Sequence, residues 1–205
     1  MKTTYMDYSA TTYVKPEVLD AMMPFFTEKF GNPSSFYGIS RETKMAVDNA
    51  RAQVAKAINC DPNEVYFTGG GSEADNWAIK GIATAHMKKG NHIITTKIEH
   101  HAILNTCAYL EKNGFEITYL DVDSEGFVDI EQLKASITDK TILISIMLVN
   151  NEVGTIEPIK EIAAIAKEHG IIMHTDAVQG LGNVPRISVW ILCRCQDTKY
   201  TDLKE

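Results

Sequence analysis

The middle of the chain alternates between short apolar runs and amphipathic helical segments, and this alternation restricts the fold more than any other feature. Five runs have the β-branched and aromatic composition of strands: EVYFT (64–68), HIITT (92–96), FEITYL (115–120), TILISIMLV (141–149) and IIMHT (171–175). Segments with helical spacing of apolar residues lie between them, among them SEADNWAIKGIATAHMKK, HAILNTCAYLEKNG and IKEIAAIAKEHG. This order predicts an α/β domain with a mostly parallel sheet and helices on both faces.

Individual segments allow finer predictions. In the helix after the first strand, Trp77, Ile79, Ile82 and Ala83 are spaced to line one buried face. The run 141–149 is apolar on both faces, as expected of a central parallel strand. Two of the helices are expected to stop at a glycine, because glycine readily adopts the left-handed conformation that ends a helix.

The N-terminal part has a different character. Residues 1–15 form an irregular arm, a helix is predicted to open near Pro16, and RETKMAVDNARAQVAKAI is a long amphipathic helix. We therefore expect an arm over residues 1–15, a large domain over residues 16–189, and a tail of different character over residues 190–205.

Composition excludes several classes of function. The net charge is −7 with acids and bases well mixed, which does not favour nucleic acid as a partner. No run approaches the roughly 18 apolar residues of a membrane span. The four cysteines form no spaced framework, which favours a reducing cytoplasm and no metal site; Cys60 and Cys107 are expected to pack inside helices.

A glycine-rich loop follows the first strand. Gly69, Gly70 and Gly71 precede Ser72, where a helix is expected to begin. The first N–H groups of a helix lack internal partners, and glycines let a ligand approach, so this loop suits an anion such as a phosphate. The simpler alternative is a flexible turn in which Ser72 is an ordinary N-cap.

Three more polar sets lie at the carboxyl ends of predicted strands, where open α/β sheets bind ligands. His100 and His101 follow HIITT; Asn150 and Asn151 end the most buried strand; Asp176 and Gln179 follow IIMHT. A loop histidine is usually a polar surface residue, and Asn favours turns in any case. A carboxylate at the end of a buried strand, however, is costly unless a cationic or hydrogen-bonding partner meets it.

Pyridoxal 5'-phosphate would account for all four sets. It carries a phosphate, a flat aromatic ring, a phenolic oxygen and a ring nitrogen that works best when protonated. A carboxylate at that nitrogen keeps the ring cationic, which makes the cofactor an effective electron sink.

The chain also resembles the first half of a cysteine desulfurase of the NifS/IscS type, within the class V aminotransferase family. The resemblance is carried, in order, by YMDYSATT, FGNPSS, FTGGGSEADNWAIKG, EHHAILN, ILISIMLVNNEVGTIEPI and HTDAVQGLGNVP, and it extends to about Pro185. It implies a type I pyridoxal-phosphate-dependent transferase fold whose large domain is incomplete here. It also implies a homodimer that moves sulfur from L-cysteine to an enzyme persulfide and leaves alanine, for iron–sulfur cluster or thio-cofactor assembly, with a scaffold or acceptor protein as partner.

The resemblance assigns a role to each site residue. Gly71 and Ser72 would hold the phosphate, and His100 would stack on the ring and assist proton transfer. Asn151 and Gln179 would bond the ring hydroxyl region, and Asp176 would pair with the pyridine nitrogen. Two alternatives remain open: another class V enzyme, such as a selenocysteine lyase or an aminotransferase, or a non-catalytic dimerisation or binding module.

The family's Schiff-base lysine and sulfur-accepting cysteine have no counterpart in this sequence. The final sixteen residues, WILCRCQDTKYTDLKE, have no desulfurase character. Synonymous codons for them can be chosen so that a shifted frame reads DSLSMSGHKIYGPKG, the family's lysine segment. We therefore expect a frameshift near Val189, and we expect that Lys199 is not the Schiff-base lysine. Coding DNA whose shifted frame does not continue into a desulfurase would refute this expectation.

Overall fold

The computed structural model describes residues 4–184, which fall into two units, residues 4–67 and residues 68–184. The expected tail over residues 190–205, with Cys193, Cys195 and Lys199, lies outside the described residues. Within residues 4–184, no helix is both long enough and apolar enough to cross a membrane.

The first unit is built from three helices: α1 (Pro16–Met22), α2 (Pro24–Thr27) and α3 (Gly38–Ile58). The predicted helix start at Pro16 is confirmed, since proline there lacks only an N–H that would have no helical partner. Helix α3 ends at Asn59, which has left-handed backbone geometry. Cys60 therefore lies beyond the helix and is half-buried, so the prediction that it packs inside a helix is wrong.

The predicted strand over residues 64–68 is not formed. Pro62–Glu64 is a single 3₁₀ turn. Val65 after it has extended backbone geometry, but residues 65–68 pair with no strand within the described part of the chain. A strand is stabilised by its ladder partner, and strand composition alone supplies none.

The second unit contains a four-stranded, fully parallel sheet in the order β2-β1-β3-β4. The strands are β1 (His92–Thr96), β2 (Glu116–Leu120), β3 (Thr141–Ser145) and β4 (Ile172–His174). The helices are α4 (Gly71–His86), α5 (His101–Glu111), α6 (Ile130–Ser136) and α7 (Ile159–Glu168). The predicted parallel α/β architecture is confirmed.

The direction of the crossovers places helices on both faces of the sheet. The connection through α5 leads from β1 to its neighbour β2. The connections through α6, from β2 to β3, and through α7, from β3 to β4, run across the sheet in the opposite direction. Because parallel crossovers are right-handed, α5 lies on the face opposite to α6 and α7. The two predicted helix stops are confirmed: Gly114 and Gly170, with φ of 91° and 63°, follow α5 and α7.

The core on one face joins α4 and α5 to the sheet. It is a fully buried apolar cluster whose members are Ile79, Ile82, Ala83, Ile93, Ile103, Cys107, Leu110, Ile142 and Leu143. Cys107 packs inside its helix as predicted. Trp77 does not join this core, since 57% of its surface is exposed; the buried stripe of α4 runs instead through Asp75, Ile79, Ile82 and Ala83.

Gly90 allows the chain to pass close to the start of β3. A Cβ atom at this position would lie 2.1 Å from the carbonyl oxygen of Lys140, the same oxygen that accepts a 3.0 Å hydrogen bond from the His92 N–H. We predict that Gly90→Ala lowers the free energy of unfolding by about 2 kcal/mol, because the backbone must shift.

The matched control is Gly81→Ala, which adds the same methyl group within α4, where the nearest atom is 4.0 Å away. This variant should instead be slightly stabilising, by about 0.5–1 kcal/mol. Denaturant unfolding of the two variants checks the prediction, and equal effects would contradict it.

Candidate functional site

The carboxyl ends of β1 and β3 mark the point where successive connections leave for opposite faces of the sheet. The chain passes from β1 into α5 on one face and from β3 into α7 on the other. Such a switch point leaves a crevice outside the strand ends, and ligands of open α/β sheets bind there. Three of the four predicted polar sets follow β1, β3 and β4, and the fourth opens α4.

The glycine loop leads directly into α4. The helix begins at Gly71 with Gly70 as its N-cap, and no side chain caps it, so the alternative in which Ser72 is the N-cap is wrong. Ser72 is the second helical residue and is exposed. The Gly69 N–H donates to Glu73 Oε2 at 2.6 Å, which fixes the loop without using the amides at Gly71 and Ser72.

His100 is the N-cap of α5. Its Nδ1 accepts a 3.1 Å hydrogen bond from the Ala102 N–H, so in the neutral ring the proton resides on Nε2. The His101 ring is 6.1 Å from the His100 ring, centroid to centroid, and is tilted by 53°. His100 and Ser72 both line a cavity of about 400 Å³ between α4 and α5, together with Asn76, Lys80, His101, Ala102, Asn105, Thr106 and Tyr109.

The two asparagines after β3 have different environments. Asn150 is buried; its Nδ2 donates to the Ile98 carbonyl at 2.9 Å, and its Oδ1 accepts from the N–H groups of Glu152 and Val153. Asn150 therefore shapes the loop. Asn151 is half-buried, and among residues 4–184 its Nδ2 donates only to the neighbouring Glu152 carboxylate, at 3.0 Å. Asn151 is therefore the asparagine that remains suited to a ligand.

Asp176 lies just beyond β4, where 9% of its surface is exposed. Its carbonyl accepts from the Leu148 N–H at 2.8 Å, which extends the pairing of β3 and β4 past their formal ends. Its Oδ1 accepts from the Val178 N–H at 2.9 Å, and within the described residues Oδ2 has no hydrogen-bond partner. Gln179 is half-buried on the following turn.

Contacts between these sets bring them to one edge of the sheet. A Cβ atom at Gly71 would lie 3.1 Å from Val178 Cγ2, so the glycine loop touches the segment after β4. Bonds from Asn150 to Ile98 and from Leu148 to Asp176 connect the loops after β1, β3 and β4. Of the six predicted site residues, only Ser72 and His100 line the 400 Å³ cavity.

A buried polar cluster beneath this edge was not predicted from the sequence. Ser145 Oγ lies 2.9 Å from His174 Nδ1, and His174 Nε2 lies 3.7 Å from Asp75 Oδ1. These residue types match a hydrolytic triad, but the Ser145 side chain is completely buried and no substrate can reach it. The cluster therefore ties α4, β3 and β4 together. Its signal in the sequence was Asp75, a carboxylate on the otherwise apolar stripe of α4.

Burial dominates the electrostatics of this cluster. It raises the pKa of Asp75 to about 7, with a further contribution from the negative charge of Asp176. It raises the pKa of Glu99 to about 8, against the opposing effect of hydrogen bonds from Met147 and Thr96. Burial lowers the pKa of His174 to about 4, so this imidazole is neutral at physiological pH.

The curated relatives of this chain include cysteine desulfurases from several organisms. The chain is 67% identical over 183 residues to the "Cysteine desulfurase IscS" of Clostridium botulinum (strain Hall), and 60% identical over 184 residues to that of Methanosarcina thermophila. These matches cover 89% and 90% of this chain but 46% of each relative. The chain thus spans about half the length of the curated relatives it matches.

Solved structures agree on the fold. A "NifS-like protein" superposes with a TM-score of 0.82 at 42% identity, covering 84% of this chain and 48% of that one. A structure described as "SspA in complex with cysteine" gives 0.84 at 42% identity, covering 87% and 51%. The predicted fold type is confirmed by these neighbours. The family model for class-V aminotransferases matches residues 4–187, and the chain therefore belongs to the class-V aminotransferase family.

Proposed function

We propose that residues 68–184 form the cofactor-binding part of a pyridoxal-phosphate-dependent cysteine desulfurase. Gly71 and Ser72 would hold the phosphate, His100 would stack on the ring, and Asp176 would pair with the ring nitrogen. Asn151 and Gln179 bond the ring hydroxyl region. These roles come from the family resemblance, and the positions of the six residues in the structure are compatible with them.

One observation carries the proposal: an uncapped helix N-terminus and a buried carboxylate lie at the same edge of the sheet, connected through the contact between Gly71 and Val178. The first attracts an anion, and the second needs a cation. A flat ligand with a phosphate at one end and a protonated ring nitrogen at the other fits both requirements.

The residues then have distinct chemical tasks. When bound, pyridoxal phosphate supplies an electron sink for the amino-acid substrate. Asp176 keeps the ring nitrogen protonated because its negative charge favours the cation. The Nε2 atom of His100 can give or take a proton, since Nδ1 is engaged by the Ala102 N–H.

For the whole protein we propose release of sulfur from L-cysteine to an enzyme persulfide, with alanine as the second product. We further propose a cytoplasmic homodimer that passes sulfur to an iron–sulfur scaffold or another acceptor. The identity to proteins named cysteine desulfurase supports this activity over that of other class V enzymes. A protein translated through the corrected reading frame should release alanine from cysteine, and transamination without sulfide release would contradict the proposal.

The cofactor site can be tested on the 205-residue chain itself. We predict that pyridoxal phosphate binds at least about tenfold more tightly than pyridoxal, because the amides at the start of α4 contribute only to the phosphate form. Equilibrium dialysis of the two compounds measures this ratio, and equal affinities would contradict the phosphate assignment. Borohydride reduction should not fix the cofactor stoichiometrically to one lysine, and stoichiometric labelling of Lys199 would overturn the expectation that Lys199 is not the Schiff-base lysine.

A further inference from the structure

The loop between β1 and α5 contains one deeply buried acid next to the predicted ring-stacking histidine. Glu99 is only 5% exposed, whereas Lys97 and His100 in the same loop are exposed. The family resemblance gave Glu99 no role. Burial of an acid costs free energy unless hydrogen bonds or a cation compensate for the lost hydration, so the contacts of Glu99 determine its role.

Glu99 fastens this loop to the segment after β3. Its Oε1 accepts a 2.9 Å hydrogen bond from the Met147 N–H and a 2.8 Å bond from the Thr96 hydroxyl. One residue earlier, the Ile98 carbonyl accepts from Asn150 Nδ2 at 2.9 Å. These bonds fix the backbone immediately before His100, and hence the direction from which its ring enters the site.

The second carboxyl oxygen of Glu99, Oε2, has no hydrogen bond within the described residues that would offset the cost of its burial. Glu99 Oε2 is fully buried and has no hydrogen-bond partner among residues 4–184. The ionisable groups that act on Glu99 are the carboxylates of Asp75 on α4 and Asp176 after β4, and Cys107 on α5 interacts with it as well. None of these is a cation, so a charge on Glu99 would be both desolvated and repelled, in line with a pKa raised to about 8.

We propose that Glu99 is the positioning residue of His100 and that it performs this task as a neutral, protonated carboxylic acid. Both partners of Oε1 are donors, so Oε1 is the carbonyl oxygen and the proton resides on Oε2. Loss of that proton leaves a buried charge, and the least costly relief is for the loop to open and admit water to Oε2. His100 then moves with the loop. The inference rests on the proposed function, because the role of His100 comes from it.

Glu99→Gln tests the proposal, because glutamine keeps the accepting oxygen but cannot ionise. The matched control is Glu157→Gln. Glu157 is also deeply buried, has one oxygen bonded to a backbone N–H, at Val128, and one oxygen without a partner, and its pKa is also raised. It contacts a different loop and makes no bond to residues 97–100.

We expect the Glu99→Gln variant and the wild-type chain to bind pyridoxal phosphate equally at pH 7. At pH 9 the variant should bind about tenfold more tightly than wild type, since one pH unit above its pKa about nine-tenths of Glu99 is ionised. The Glu157→Gln variant should follow wild type throughout. Equal pH profiles for Glu99→Gln and wild type would overturn the proposal, as would a Glu99→Gln chain that fails to fold at pH 7.

The NMR signal of the His100 ring, assigned with a His100→Asn variant, provides a readout that needs no cofactor. In wild type it should shift between pH 7.5 and 9, the range in which Glu99 ionises, and in Glu99→Gln it should not. If wild type fails to bind pyridoxal phosphate at every pH, the proposed function fails. The His100 signal then decides the Glu99 proposal alone, and an unchanged wild-type signal would reject it.

Discussion

Replacing Asp176 with alanine is expected to weaken the binding of pyridoxal phosphate by about 100-fold or more, because removing one partner of a buried ion pair costs about 3–5 kcal/mol. His101→Ala should change the affinity by less than about twofold. Although the His101 ring borders the 400 Å³ cavity, its plane is inclined by 53° to the His100 ring, which is the one expected to stack on the cofactor. Equilibrium dialysis of the two variants against wild type makes the comparison.

The Asp176→Asn variant distinguishes the effect of the negative charge of Asp176 from its effect on the turn after β4. Its side-chain oxygen can still accept the bond from the Val178 N–H that Asp176 Oδ1 now accepts. The turn after β4 should therefore survive, while the compensation of a cationic ring nitrogen is lost. Binding by this variant should be nearly as weak as by Asp176→Ala. Wild-type affinity in Asp176→Asn, or equal affinities for the alanine variants of Asp176 and His101, would contradict the assignment.

The stability of the ligand-free chain is expected to fall as the pH rises from about 6.5 to 8. Below pH 6.5 the lowered pKa of His174, at about 4, has the opposite effect and offsets part of the change. Glu99 and Asp75 both have a pKa above that of the unfolded chain, at about 8 and about 7. Between the unfolded and folded pKa values the folded state binds more protons than the unfolded state. The stability that Glu99 and Asp75 contribute is therefore fully present below about pH 4, and it is lost as the pH rises through their folded pKa values.

The slope contributed by Glu99 is about 1.4 kcal/mol per pH unit within this window. Urea unfolding of wild type and Glu99→Gln at several pH values measures it. The variant should lose most of this slope. It should therefore be more stable than wild type at pH 8, and the difference in stability between the two should be smaller at pH 5. Asp75→Asn should flatten the profile in the same direction. A wild-type profile that rises from pH 6.5 to 8 would contradict the prediction.

The long periodic segments were predictable because hydrophobic spacing reports directly on which face of an element is buried. The helices at 71–86, 101–111 and 159–168 and the four strands of the sheet follow this rule. Residues 64–68 show its limit: their composition suits a strand, but a strand also needs a neighbour. Helix α6 was not predicted, since at seven residues it is too short to display a clear period.

The site was predictable only as a set of strand ends. Strand patterns placed the histidine pair after β1, the asparagine pair after β3 and Asp176 after β4. Only the family resemblance distinguished the adjacent residues of the same type, and it favoured His100 and Asn151. The structure shows a physical difference between these residues. The Asn150 side chain makes four hydrogen bonds within the loops, whereas His100 caps α5 with one ring nitrogen. These roles depend on backbone groups distant in sequence, and periodicity carries no information about them.

Local sequence patterns were sufficient to predict the parallel α/β architecture and the edge of the sheet where polar residues gather. The ordered motifs were sufficient to identify the family. Tertiary structure alone decided that Asp75, Glu99 and His174 share one buried polar region with Asp176. The physical reason is the difference in the distance over which the two kinds of interaction act. Hydrophobic periodicity and helix capping act over a few neighbouring residues, so they can be read along the chain. Desolvation and Coulomb interactions act through space, and their strength is set only when packing has excluded water and brought distant groups together.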